Sequence, residues 1–377
     1  MDSSEPFPHG AIEAGDLAET MAGPPPFTSV RLATDPREAD ASHRSEIRWK
    51  DLRRGLEAQG APDAALRSIT DLVPAAHLEG DTLFVVADAD AVRVVDHTDT
   101  GEERDLGHLA RLPYLLPVIR SRQAAPPYVV VLTDRTGADL IGFRSGGPEL
   151  AEKVQGETSV IHKVHAGGWS MRRYQQRAEN TWEGNAEDVA SAVEALARRL
   201  EARLVVVAGD VRAVALLRRD LPADIDGLVH VIAGERARDR DPEDAVPAAA
   251  DELVAGLVRE EEQRLVERAR EEQGQGDLFV EGTAATAGAL ARAQVAILLI
   301  AEVDPDASPS VWIGPDGTQL AGSREDVTVM GVDEPVEAPA VDALARAAVA
   351  TDALLRVTGD AGFADGVGAL LRWKNEG

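Results

Sequence analysis

Hydrophobic and polar positions divide the 377-residue chain into alternating strand-like and helix-like stretches. "FTSVRLATD" at 27 to 35 reads as a strand. "RSEIRWKDLRRGLEAQGAP" reads as a helix with Ile47, Leu52 and Leu56 near one face, Arg48, Lys50, Arg53 and Arg54 elsewhere, and Gly60 and Pro62 as its stop. "DTLFVVADADAVRVVDH" predicts a hairpin, and the segment to Gln123 completes a first α/β series. A second series opens with "PYVVVLTDRTGADLIGFRSG", two strands about a turn at Asp134 to Gly137. Apolar residues then recur every three or four positions from Met171 to Leu200, the stripe of a long helix with a weak point at Gly184. "RLVVVAG", "DVRAVALLRRDLP" and "GLVHVIAG" follow as strand, helix and strand. A charge-rich helix over 246 to 272 leads to a third series. There "TAATAGALARAQVAILLIAEVD" and "APAVDALARAAVATDALLRVTGD" each read as helix then strand, "SVWIGPDGTQLAG" as a hairpin and "GFADGVGALLRW" as the end.

This alternation predicts an α/β protein of three α/β domains. A polar, proline-bearing tail over 1 to 26 is expected to be flexible. An N-terminal α/β domain follows over 27 to 125, a middle domain over 126 to 240, a charged helical connector over 241 to 276, and a C-terminal α/β/α layer domain over 277 to 377.

Composition narrows the class. The chain is 44% hydrophobic and 28% charged, ordinary globular material. The longest apolar run, "VAILLIA" at 295 to 301, falls far short of the roughly 20 residues of a membrane span, and the first residues show no charged-then-apolar pattern with a cleavage site. A cytoplasmic protein without membrane partners is the expectation. The absence of cysteine excludes disulfides, thiolate nucleophiles and cysteine-ligated metals. A formal charge of −27 opposes broad adhesion to nucleic acid, so any contact with phosphate must be local.

Most motifs for chemistry are missing. There is no phosphate-binding G-x-x-x-x-G-K-[ST], no H-E-x-x-H, no G-x-S-x-G and no G-x-G-x-x-G between a strand and a helix. Asp88, Asp90, Asp96 and Asp99 lack the spacing and closing glutamate of a calcium loop, and read as solvated turns. His162 and His165 have no third ligand nearby, which argues against zinc. Asp134 and Asp139 resemble a magnesium-binding carboxylate pair only in composition; their place in a hairpin favours a turn role. Neither a cofactor, a metal nor a small-molecule substrate is expected.

One stretch stands apart, "VIHKVHAGGWSMRRYQQRAEN" at 160 to 180. From His162 to Arg177 it holds Lys163, His165, Arg172 and Arg173 with no acid, around Gly167-Gly168-Trp169. An amphipathic helix with solvated arginines is one reading. The other is a protruding tip: Gly-Gly permits backbone shapes other residues avoid, guanidinium groups take phosphates, and an indole stacks on an unpaired base.

This stretch resembles the Gly-Gly-Gln loop and following helix of the archaeal and eukaryotic class-one release factors, whose pattern runs roughly H-x-x-G-G-Q-S-x-x-R-F-x-x-x-R. The terminal "DGVGALLRW" resembles the "GGIGAILRY" that closes their third domain. The order of units is similar to that of a release factor or Pelota, and closest to the bacterial branch that includes the ribosome-hibernation factor Balon and its actinobacterial relatives. The resemblance implies an RNase H-like middle domain, a third domain of the kink-turn-binding-protein type, and occupancy of the ribosomal A site with a translational GTPase such as elongation factor Tu. By position, Gly167 and Gly168 match the two glycines, Ser170 the serine and Arg173 the arginine, while Trp169 replaces the glutamine. An indole has neither the size nor the amide to position water at the peptidyl-tRNA ester, although its backbone N–H is able to stabilise an oxyanion.

The resemblance thus implies a non-catalytic factor in the A site of idle or stalled 70S ribosomes, in hibernation or rescue, with no catalytic residues. Lys163, His165, Gly167, Gly168, Trp169, Ser170, Arg172, Arg173 and Arg177 would contact ribosomal RNA. Arg48, Lys50, Arg53 and Arg54 are a weaker rRNA set whose alternative is a solvated helix face. The rival function is a peptidyl-tRNA hydrolase acting through the loop backbone; the blander one is an interaction module without a ribosome. The segment 283 to 301 and "GVGALLRW" are expected in the core.

Overall fold

In the computed structural model of the protein, residues 17–34, 40–78, 81–98, 104–134, 137–144, 147–155, 158–163, 182–232, 242–275, 278–359 and 361–373 are described, with backbone only at 98, 147–163, 182–185, 242–245 and 247. A short helix, α1 (Ala18–Met21), precedes strand β1 (Phe27–Ala33). Leu17 is buried against this segment's core, so packing begins well inside the tail expected over 1 to 26. Two helices follow, α2 (Ala41–Gln59) and α3 (Asp63–Ala76), then β2 (Thr82–Ala87), β3 (Val92–Thr98), β4 (Leu106–Ala110) and α4 (Leu116–Ala124). The strands form one antiparallel sheet in the order β3-β2-β1-β4.

Strand alternation sends successive side chains of β2 to opposite faces. Leu83, Val85 and Ala87 pack with Trp49, Leu56, Leu66, Ile69 and Val73 of α2 and α3, while Phe84 and Val86 face a second core. The helix predicted around Trp49 is present and stops at Gly60, whose φ of 91° suits glycine and whose N–H bonds the Glu57 carbonyl. Its buried face holds the predicted Leu56, with Leu52 packed against it, but not Ile47. Ile47 is 49% exposed, and Trp49 lies inside with its Nε1–H donating to Thr70 Oγ1 at 2.9 Å.

The second series begins with β5 (Tyr128–Asp134), β6 (Gly137–Arg144), β7 (Gly147–Gln155) and β8 (Thr158–Lys163), an antiparallel meander. It continues with α5 (Trp182–Leu200), β9 (Leu204–Gly209), α6 (Val211–Asp220), α7 (Ala223–Asp226) and β10 (Val229–Val231). The six strands lie in the order β10-β9-β5-β6-β7-β8, with β9 parallel to both β5 and β10. Asp210 caps α6, accepting from the N–H groups of Arg212 and Ala213. At Gly209, φ is 150° and an added Cβ would lie 1.8 Å from the Thr133 carbonyl oxygen, so no other residue fits where β9 turns into α6.

A 34-residue helix, α8 (Pro242–Gln275), runs longer at both ends than the predicted 246 to 272. The last series is β11 (Phe279–Glu281), α9 (Thr283–Ala291), β12 (Val295–Ala301), β13 (Ser310–Ile313), β14 (Leu320–Ala321), α10 (Arg324–Val329), β15 (Val336–Pro339), α11 (Ala340–Ala350), β16 (Leu354–Thr358) and β17 (Val367–Leu371). One sheet runs β11-β17-β12-β16 and a smaller one β14-β13-β15. Strands β12 and β17 are buried, as the sequence predicts. The glycines of "DGVGALL" answer to backbone geometry: Gly366 has φ of 70°, and a Cβ on Gly368 would meet the Phe279 ring at 2.7 Å.

The architecture is therefore mixed α/β with several sheets. Two compact units emerge, one formed by the segment ending at Gln123 together with that starting at Glu260, the other by residues 124–259. Within the first, Phe84, Val86, Tyr114 and Leu116 share a continuous apolar core with Leu298, Ile300, Leu344 and Leu355. The first and last series thus fold as one body.

Candidate nucleic-acid interface

The acid-free run sits in sequence between the end of β8 and the start of α5. Lys163 closes β8, the edge strand, with its backbone opposite Leu150 of β7. His165, Gly167, Gly168, Trp169, Ser170, Arg172, Arg173 and Arg177 lie outside the described residues, as does the helix stripe predicted from Met171 to Ala178. The described remainder of that stripe folds as predicted. Val189, Val193, Leu196 and Leu200 of α5 are buried on Val129, Val131 and Leu140. Gly142 of β6 sets how closely α5 approaches: a Cβ there would lie 2.4 Å from Leu200 Cδ1. The stems of the run are thereby anchored on a packed sheet.

The second predicted set is on α2, where the structure supplies local partners. Arg53 Nε donates to Glu57 Oε1 at 2.7 Å and its Nη1 to Thr70 Oγ1 at 3.3 Å. Arg54 lies 3.2 Å from Asp51, and Arg48 3.8 Å from Asp105. Lys50 is exposed. Exposed pairs of this kind add little stability, but each carboxylate cancels much of the field its arginine would offer a phosphate. Asp134 is engaged in the hairpin turn, its Oδ1 accepting from Gly137 N–H at 3.2 Å. Among the described residues, no group of three or more His, Asp or Glu stands close enough to hold a metal ion, and no helix is long and apolar enough to cross a membrane.

Two charged arrangements inside the first unit were not legible in the sequence. His108 of β4 lies with Nε2 3.5 Å from Asp342 of α11 and Nδ1 3.5 Å from Asp306. Burial pulls the imidazole down, but the Asp342 carboxylate beside it, with Asp306 and Asp304, outweighs this and holds His108 above its ordinary value. Burial pushes the Asp342 carboxyl up to about 6, against the pull of His108. Nearby, Glu302 bridges Arg31 at 2.8 Å and Arg120 at 2.5 Å, and the Tyr114 hydroxyl donates to the Val303 carbonyl at 3.0 Å. These partners are separated by 180 residues or more, beyond the reach of any local pattern.

Residues 127–275 match the sequence profile of the bacterial archaeo-eukaryotic release factor family 2. An uncharacterized protein of Mycobacterium tuberculosis strain H37Rv is 29% identical over 364 residues, covering 94% of this chain and 95% of its own length. Among solved structures, a ribosome-bound archaeal Pelota, described together with ABCE1, aligns over 97% of this chain and 96% of its own, at 14% identity and a TM-score of 0.41. Archaeoglobus fulgidus Pelota aligns over 78% of this chain and 81% of its own, with 14% identity and a TM-score of 0.32. An archaeal translation termination factor aligns over 95% and 96% of the two chains, with 14% identity and a TM-score of 0.22. The matched span holds the whole meander, the acid-free run and α5, and over that span the chain is similar to the bacterial archaeo-eukaryotic release factors.

Proposed function

We propose that this protein is a ribosome-associated translation factor that occupies the A site of idle or stalled 70S ribosomes without hydrolysing peptidyl-tRNA. The observation that carries the reading is the family match over 127–275, which encloses the acid-free Gly-Gly-Trp run. Support for an RNase H-like middle domain comes from its sheet, an antiparallel meander continued by the parallel strands β9 and β10. The C-terminal domain is read as the kink-turn-binding-protein type, with 241 to 276 as connector. In this reading Gly167, Gly168 and Trp169 approach the peptidyl transferase centre, and Lys163, Arg172, Arg173 and Arg177 take rRNA phosphates. His165 and Ser170 flank the tip, elongation factor Tu or a related GTPase accompanies the factor, and hibernation or rescue is the setting. Replacement of the family glutamine by Trp169 removes the amide that would orient water, which makes the factor non-catalytic.

The test is co-sedimentation of the full chain with vacant 70S ribosomes at physiological salt, with peptide release from loaded ribosomes measured in parallel. Saturable binding without release supports the reading. Absence of binding overturns it, and release would place the protein among peptidyl-tRNA hydrolases.

A further inference from the structure

The first unit holds a cavity of about 830 Å³ that neither the sequence patterns nor the family match accounts for. That volume lies within the range of small-molecule sites. Its walls come from four places in the chain: the segment around Phe27, Arg111 after β4, the β13–β14 hairpin, and the loop leading to β15. Arg346 of α11 reaches in from a fifth.

The hairpin wall is preformed. Arg346 Nη2 donates to the carbonyls of Gly314 at 3.0 Å and Asp316 at 3.2 Å, and Asp316 Oδ1 accepts from Thr318 N–H at 2.9 Å. Gly314 has no room for a side chain: a Cβ would lie 2.5 Å from Gln319 and 2.6 Å from Val332. Arg346 lines the cavity with its guanidinium held by those two carbonyls, and its Nε is buried without a hydrogen-bond partner. Burial pulls its guanidinium below the ordinary value; Asp316 opposes this and the nearby positive charge of Arg111 adds to it. Arg111 is exposed and has no carboxylate partner among the described residues. Two guanidinium groups therefore share one cavity in a protein of net charge −27. Like-charge crowding costs stability, and an anion seated between the two guanidinium groups relieves it. Beyond the arginines the lining is apolar at Phe27 and Ile313, and Asp333 and Glu334 are exposed at the rim as acceptors.

We propose that this cavity binds a small organic phosphate or carboxylate of nucleotide size, its anionic group on Arg111 and Arg346, its apolar body on Phe27 and Ile313, and hydroxyl or amino donors toward Asp333 and Glu334. The site is independent of ribosome binding and stands or falls separately from it.

Isothermal titration of the full chain with adenosine and guanosine monophosphate, adenosine, citrate and inorganic phosphate tests the proposal. Arg111→Glu is the diagnostic variant, because its exposed side chain leaves the fold intact, which an unchanged Tm without ligand would verify. At least one nucleotide or citrate is expected to bind at least tenfold more tightly than either adenosine or inorganic phosphate, and Arg111→Glu to lose at least tenfold. Arg346→Lys, which keeps the charge but not the fork, is expected to weaken binding as well. Failure of every probe to bind at millimolar concentration overturns the proposal. So does equal binding by Arg111→Glu, or inorganic phosphate binding as tightly as the best organic anion.

Discussion

The two basic regions differ in where their acids are. On α2, Arg48, Arg53 and Arg54 each find a carboxylate within 4 Å, two of them on the helix itself. From His162 to Arg177 the chain carries comparable positive charge with no acid within the run. Charge count alone would rank the two regions equally. The spacing of Asp and Glu separates a helix that neutralises itself from a run that holds no acid of its own.

The scaffold beneath the run offers the harshest way to sharpen this contrast. Gly209→Ala forces a Cβ against the Thr133 carbonyl at a backbone angle that favours glycine, and is expected to destabilise the second unit by ~3 kcal/mol or more. Thermal unfolding would register that loss, whereas Trp169→Ala should leave Tm within a degree or two while weakening ribosome binding. Equal loss of stability from both changes would mean that Trp169 belongs to the core. Next in size, Arg172→Ala/Arg173→Ala is expected to weaken 70S binding about tenfold or more, roughly 1.4 kcal/mol, in a salt-dependent manner. Alanine at Arg53 and Arg54 should cost less than about threefold in the same assay.

The buried pair in the first unit applies the same logic to the interior. Asp342 has a folded value of about 6 against 3.8, so the folded state binds the extra proton and stability falls as pH rises from about 4 to 6. His108 is also raised: its contribution is complete below its ordinary 6.5 and is lost as pH climbs through the folded value. Both act in one direction. Tm of the wild type minus that of Asp342→Asn should therefore decline between pH 4 and 8, by on the order of 1–3 kcal/mol in stability terms. A flat or rising difference would show the pair to be uncoupled from folding. The smallest effect belongs to α2: Asp51→Asn/Glu57→Gln should raise non-specific RNA binding two- to threefold at low salt, by unmasking Arg54 and Arg53. No change would mean that the pairing is not what keeps α2 silent.

What the sequence made legible follows the range of the forces involved. Hairpins β2–β3, β5–β6 and β13–β14, the parallel β9–α6–β10 unit and the buried β12 and β17 were all readable, because alternation, turn residues and caps act over a few positions. Helix α3 begins just beyond the Pro62 stop, with Leu66, Ile69 and Val73 as its apolar stripe. Ile47 was misplaced and Trp49 missed because the apolar count of α2 is low, and tertiary contact with Thr70 decides which face turns inward. The joining of the first and last series, the His108–Asp342 contact and the Arg111–Arg346 cavity depend on residues far apart in the chain, which no local pattern connects. Of the predicted rRNA set, the α2 residues are placed and largely paired, Lys163 is placed by its backbone, and the others rest on the sequence and the family match.

The central claim is that the acid-free run engages the ribosome without catalysing release. Its most direct test is peptide release and 70S co-sedimentation measured together on wild type, Trp169→Ala and Trp169→Gln. The account predicts saturable wild-type binding with no release and weaker binding by Trp169→Ala; wild-type release at a rate that Trp169→Gln barely changes, or no binding at all, would contradict it.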